Sequence, residues 1–172
     1  MSMAVLSFHC GGARPPPAAK EAALVPKACE ALGPVVTLSA GDRLNSGATG
    51  AARPVQVRVY QLKTDVKLRT ATFEDIWQND TVALQGDLVK SAEQTIFPSE
   101  TKTIKLEPNA EARLVATVAL FREPQGKTWF VSHDLAAPSK GATCPTEGQR
   151  ILVWLDRMQI EDGQGRVPAG GN

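Results

Sequence analysis

The sequence predicts a mainly β fold, a two-sheet sandwich with a small helical insertion, and three observations carry that prediction. Val55-Gln56-Val57-Arg58-Val59-Tyr60-Gln61-Leu62 alternates, with Val55, Val57 and Val59 on one face and Gln56, Arg58 and Tyr60 on the other, the period of a half-buried antiparallel strand. Further apolar runs of strand length follow, separated by Gly, Pro and Asn turn chemistry. A single stretch, from Thr72 to Asn79, carries the signals of a helix start. Strands at hairpin spacing with one helix bury their apolar faces most simply as two packed sheets with a helical cover.

A chain of 172 residues is long enough for one domain with a substantial core and short for two. Its 42% hydrophobic and 22% charged residues are ordinary globular proportions. A net charge of +1 argues against a nucleic-acid surface. No apolar run reaches the roughly 18 residues that a membrane-spanning helix needs.

In chain order, residues 1–30 read as a leader remnant and a tether. A short apolar opening precedes Cys10, Gly11-Gly12 follows it, and Arg14-Pro15-Pro16-Pro17 favours extended polyproline over a packed core. The sandwich is expected over 31–162. Val35 to Ala40 is β-branched and apolar, a first strand, and Val55–Leu62 is the second. Residues 63–70 read as a charged connection. Thr72 caps a helix near 72–80 with Asp75 three residues on, and Phe73, Ile76 and Trp77 share one apolar face. Thr101–Leu106 alternates and stops at Glu107-Pro108-Asn109. Ala112–Phe121 is apolar on both faces and reads as a central strand. Lys127–Ser132 and Arg150–Ile160 complete the strands, and residues 163–172 form a Gly/Pro-rich tail.

Catalytic and metal chemistry find little support. His9 and His133 are the only histidines, without ligands at metal spacing. Ser132-His133-Asp134 resembles a triad written in a row, but neighbouring strand residues point to opposite faces. The glycines at 41, 47 and 50 lack the Gly-Lys-Ser/Thr of a phosphate loop. No cofactor and no enzymatic activity are expected. Of the three cysteines, Cys10 is either the acylated cysteine of a lipoprotein whose leader is truncated or replaced, since the run before it is short for a signal peptide, or an ordinary thiol. Cys29 and Cys144 form an even pair that is either a disulfide or two thiols.

One segment stands out for length. Between the first two strands lie Gly41 and then Asp42, Arg43, Leu44, Asn45, Ser46, Gly47, Ala48, Thr49, Gly50, Ala51, Ala52 and Arg53, closed by Pro54. A hairpin turns in about two to five residues, so this connection is longer than closure requires. Loops on a rigid scaffold commonly carry binding.

Leu44-Asn45, Arg53-Pro54, Val57–Leu62, Ala71-Thr72-Phe73 with Ile76-Trp77, Gly86-Asp87-Leu88, Pro98 before Thr101–Ile104, and Val115-Ala116 to Phe121-Arg122 with Trp129 resemble, in order and spacing, the TssJ family, the outer-membrane lipoproteins of the bacterial type VI secretion system. The resemblance covers roughly residues 35–132. It departs from the family pattern at Ser99, where a glycine is expected, and in the residues before Cys10. It implies a transthyretin-like sandwich on the periplasmic face of the outer membrane, held by a lipid on Cys10. It further implies that the loop from Asp42 to Arg53 binds the C-terminal periplasmic region of TssM, and through TssM meets TssL indirectly. Two other functions are open: a periplasmic sandwich that binds a small molecule or glycan through Trp77, Trp129 and Trp154, and an enzyme using His133.

Overall fold

The computed structural model describes residues 28–47, 50–126, 128–137 and 144–164. Expectations for Cys10, the tether before Ala28, Ala48, Thr49 and the tail beyond Gln164 lie outside these residues. The strands are β1 (Val35–Ala40), β2 (Val55–Leu62), β3 (Leu88–Ile96), β4 (Thr101–Lys105), β5 (Leu114–Ala119), β6 (Phe130–Asp134), β7 (Arg150–Asp156) and β8 (Gln159–Asp162), with helices α1 (Val66–Thr70) and α2 (Phe73–Leu84) between β2 and β3. They form two four-stranded sheets, in the orders β4-β1-β7-β8 and β3-β2-β5-β6. The fold is the mainly β sandwich expected.

The alternation in β2 works on both faces. Val55, Val57 and Val59 enter the core between the sheets, joined there by Val36 and Leu38 of β1 and by Ile151, Val153 and Leu155 of β7. The opposite face is covered by α2. Arg58 Nη1 donates to the Ile76 carbonyl at 2.8 Å and to Asp80 at 3.2 Å, and the Tyr60 hydroxyl donates to Asp80 Oδ2 at 2.6 Å. Tyr60, read as part of a polar face, is therefore fully buried. β5 is the central strand expected, buried along its whole length, because one face meets the opposite sheet and the other the helical cover.

Several elements differ from the sequence expectation. β1 and β2 lie in different sheets, and β1 pairs in parallel with β7. The segment between them crosses from sheet to sheet, so part of its length is the span itself and not an excess over a hairpin. The charged connection after β2 contains α1, whose Leu68 is fully buried. β3 was not expected at all. It is an edge strand whose only fully buried residue is Ile96, and its Lys90, Glu93 and Gln94 are the polar residues that keep such an edge from pairing further. The last strand is two, since the chain reverses at Arg157-Met158 with Arg157 at φ 50°. Trp77 is 54% exposed. Phe73, Ile76 and Leu84 fill the contact with the sheet, and α2 departs from helical geometry at Asn79, so the apolar face is narrower than the spacing suggested.

Cys29 and Cys144 are joined, with Cα atoms 5.4 Å apart across a sequence separation of 115. The bond ties the segment before β1 to the segment before β7.

Candidate functional site

The loop from Gly41 to Pro54 leaves the end of β1 and is built from its base upward. Gly41 N–H donates to the Leu155 carbonyl at 2.7 Å, and its backbone lies so close to Asp156 that a Cβ would stand 2.5 Å from Oδ1. Asp42–Asn45 then turn. Arg43 reaches Asp156 at 3.6 Å and Asp42 at 3.8 Å, which pins the turn to β7.

Leu44 and Asn45 anchor the loop. Leu44 is fully buried in the core and Asn45 is 3% exposed. Asn45 sits at φ 50°, a left-handed conformation that Asn tolerates better than most residues. Its amide N–H donates to the Arg157 carbonyl, its Nδ2 to the Pro54 carbonyl at 3.0 Å, and its Oδ1 accepts from Arg122 N–H at 3.0 Å. Arg53 N–H donates to the Leu44 carbonyl at 2.9 Å. One buried residue thus gathers the two limbs of the loop, the segment after β5 and the turn between β7 and β8. Of the residues expected to form a contact surface, Leu44 and Asn45 point inward, Ser46 and Gly47 are half-buried, and Asp42, Arg43 and Gly50 to Arg53 are exposed. The anchoring role of Leu44-Asn45 was invisible in a stretch of small and polar residues. An Asn followed by Ser-Gly was the only hint, since both suit turns.

The arrangement offers little to catalysis. Ser132 pairs with Ala116 and His133 with Val115, so they face opposite sides of the sheet, and His133 Nε2 lies 3.4 Å from Asp162. Among the described residues no cluster of His, Cys, Asp and Glu could hold a metal ion. The three indoles do not share a cavity. Trp129 is 1% exposed in the core and packs edge-on against Phe73 with centroids 5.6 Å apart, Trp77 projects from α2, and Trp154 stands on β7 beside Arg43 and Asp156. No described helix is long and apolar enough to cross a membrane.

Known proteins give this geometry a context. Residues 34–158 match the model of the T6SS-SciN family, described as type VI secretion lipoprotein, VasD, EvfM, TssJ. No curated protein sequence matches. Among solved structures, the chain is similar to the T6SS lipoprotein TssJ1 from Pseudomonas aeruginosa, with 25% identity over 83% of this chain and 100% of that one and a TM-score of 0.64. It is similar to Serratia marcescens Lip, a membrane-bound component of the type VI secretion system, with 20% identity, 76% and 96% coverage and a TM-score of 0.68. It also matches a chain of the structure named T6SS protein TssM C-terminal domain (869-1107) from EAEC, with 19% identity, 76% and 97% coverage and a TM-score of 0.63. The family match takes in β1 to β7, the helical cover and the whole of the anchored loop, and the chain belongs to the T6SS-SciN (TssJ) family of type VI secretion lipoproteins, which are structural and non-catalytic.

Proposed function

We propose that this protein is the outer-membrane lipoprotein of a type VI secretion membrane complex, held at the periplasmic face by a lipid on Cys10. In this reading the loop between β1 and β2 binds the C-terminal periplasmic region of TssM, which links it indirectly to TssL. The observation that carries the reading is the division of labour in the loop. Leu44 and Asn45 fix its base in the core while Asp42, Arg43 and Gly50–Arg53 face outward. In this reading the exposed residues make the contact, and Leu44 and Asn45 hold them in place.

The match to a chain of the structure named for TssM supports association. A tether of prolines 15–17 suits a body held clear of the lipid, and buried acyl methylenes at about 0.8 kcal/mol each make several chains a durable anchor.

Deleting Ser46–Ala51 tests the loop. Binding to the TssM periplasmic region, measured by calorimetry, should disappear while thermal unfolding stays nearly unchanged; undiminished binding would reject the loop as the contact. With a full native leader in place, Cys10→Ser should shift the protein from the membrane fraction to the soluble periplasm.

A further inference from the structure

The anchoring of Asn45 has a second result, because each segment that it ties down carries an exposed arginine. Arg53 bonds through its backbone to Leu44, Arg122 donates its backbone N–H to Asn45 Oδ1, and Arg157 offers its carbonyl to Asn45 N–H. All three are exposed. None of them forms an ion pair among the described residues. Arg43, close by, is engaged with Asp156 and Asp42. Glu123, next to Arg122 in the chain, has its carboxylate against Gly47. In a chain of net charge +1, three exposed arginines whose backbones meet at Leu44-Asn45, with no ion pair among the described residues, make a local cationic surface.

We propose that this arginine trio is a recognition surface for an acidic segment of the protein partner, with Asp or Glu carboxylates held by Arg53, Arg122 and Arg157. The proposal rests on the reading of the loop as the partner-binding end. Guanidinium groups match carboxylates in a planar, two-bond geometry, and arginine is enriched in interfaces and their hot spots. A protein is favoured over a lipid surface by the direction of the chain. It reaches β1 from Ala28–Pro34 at one end of the sandwich, and the arginines lie past Ala40 at the other, so a body tethered by its N-terminal segment turns them away from the membrane.

The test compares three proteins for binding to the TssM C-terminal periplasmic region: the unaltered chain, the loop deletion, and a triple variant Arg53→Gln, Arg122→Gln, Arg157→Asn. Asn is used at 157 because the backbone there has φ 50°. The bonds to Asn45 are made by backbone atoms, so the triple variant should keep the thermal unfolding of the parent; Arg122→Glu alone is the second variant if it does not. Affinity should fall at least about tenfold in the triple variant, chiefly through slower association, and the salt dependence of binding should flatten. If the loop deletion abolishes binding and the arginine variants bind like the parent, the arginine proposal is overturned and the loop reading stands. If neither change weakens binding, both fall. Co-sedimentation of the unlipidated chain with phosphatidylglycerol vesicles, lost in the triple variant, would overturn the protein partner in favour of an anionic membrane.

Discussion

Asn45 shows how much a single residue decides at this site. It supplies two side-chain bonds and one backbone bond to three separate segments from a left-handed backbone. Asn45→Ala leaves the Pro54 carbonyl and the Arg122 N–H without these partners, and urea unfolding should show a loss of about 1–3 kcal/mol. Leu44→Ala empties a fully buried site, with an expected loss of about 2–5 kcal/mol. Both should also weaken partner binding by loosening the loop, whereas changes at exposed arginines should alter binding alone. Tyr60 gives an independent check on the helical cover. Burial raises its pKa well above the usual phenol value, and the hydrogen bond to Asp80 adds to the effect. A group whose folded pKa is raised stabilises the fold below its unfolded value, and that contribution is lost as pH rises through the folded value. It is the only tyrosine in the chain, so an alkaline absorbance titration reads it alone. No phenolate should form near pH 10 in the folded protein, and ionisation should coincide with unfolding.

At the scale of elements, the helical cover depends on its caps. α2 begins with a reciprocal capping box, Thr72 Oγ1 accepting from Asp75 N–H at 3.1 Å while Asp75 Oδ2 accepts from Thr72 N–H at 2.9 Å, the arrangement that Thr72 and Asp75 announced in the sequence. α1 is held differently, by Asp65 at its start, 2.7 Å from Arg69 one turn on. The hydrogen bond from Arg69 is the main reason that the Asp65 carboxyl lies below its ordinary range, with burial opposing. The sign follows from a lowered folded pKa. The contribution is present above the unfolded carboxylate value and lost as pH falls through the folded one. Asp65→Asn should therefore lower stability at neutral pH and flatten the acid limb of a stability-versus-pH curve measured below about pH 4. α1 escaped the sequence reading because five residues with one buried leucine carry too little periodicity to register. β3 escaped it for the reverse reason. Its nine residues are mostly polar, as an edge strand requires, and the alternation that marks a half-buried strand is absent.

Over the whole molecule, one covalent bond and one parallel pairing join regions far apart in sequence. The Cys29–Cys144 bond closes a segment with a sequence separation of 115 that holds β1 to β6 and both helices. Reduction should lower the stability by about 2–5 kcal/mol, seen as an earlier urea midpoint with reductant present, and intact mass should rise by two hydrogens. The β1–β7 pairing places the first strand beside the seventh, Val36 opposite Ile151 and Leu38 opposite Val153. It also brings Asp156 and Arg157 up to the base of the loop, where they meet Arg43 and Asn45.

By itself the sequence determined the class of fold, the strands β1, β2, β4 and β5, the capped helix, and the family, because each rests on a local pattern: a period of two, a box of four residues, or an ordered set of short motifs. Only the tertiary structure decided which strands share a sheet, that the loop bridges two sheets, that Leu44 and Asn45 are its foundation, and that the backbones of Arg53, Arg122 and Arg157 converge on that foundation. The physical reason is the range of the interactions. Alternation records that a strand face is buried and says nothing of what buries it, so partners separated by tens of residues of chain become visible only when the backbone bonds between them are formed.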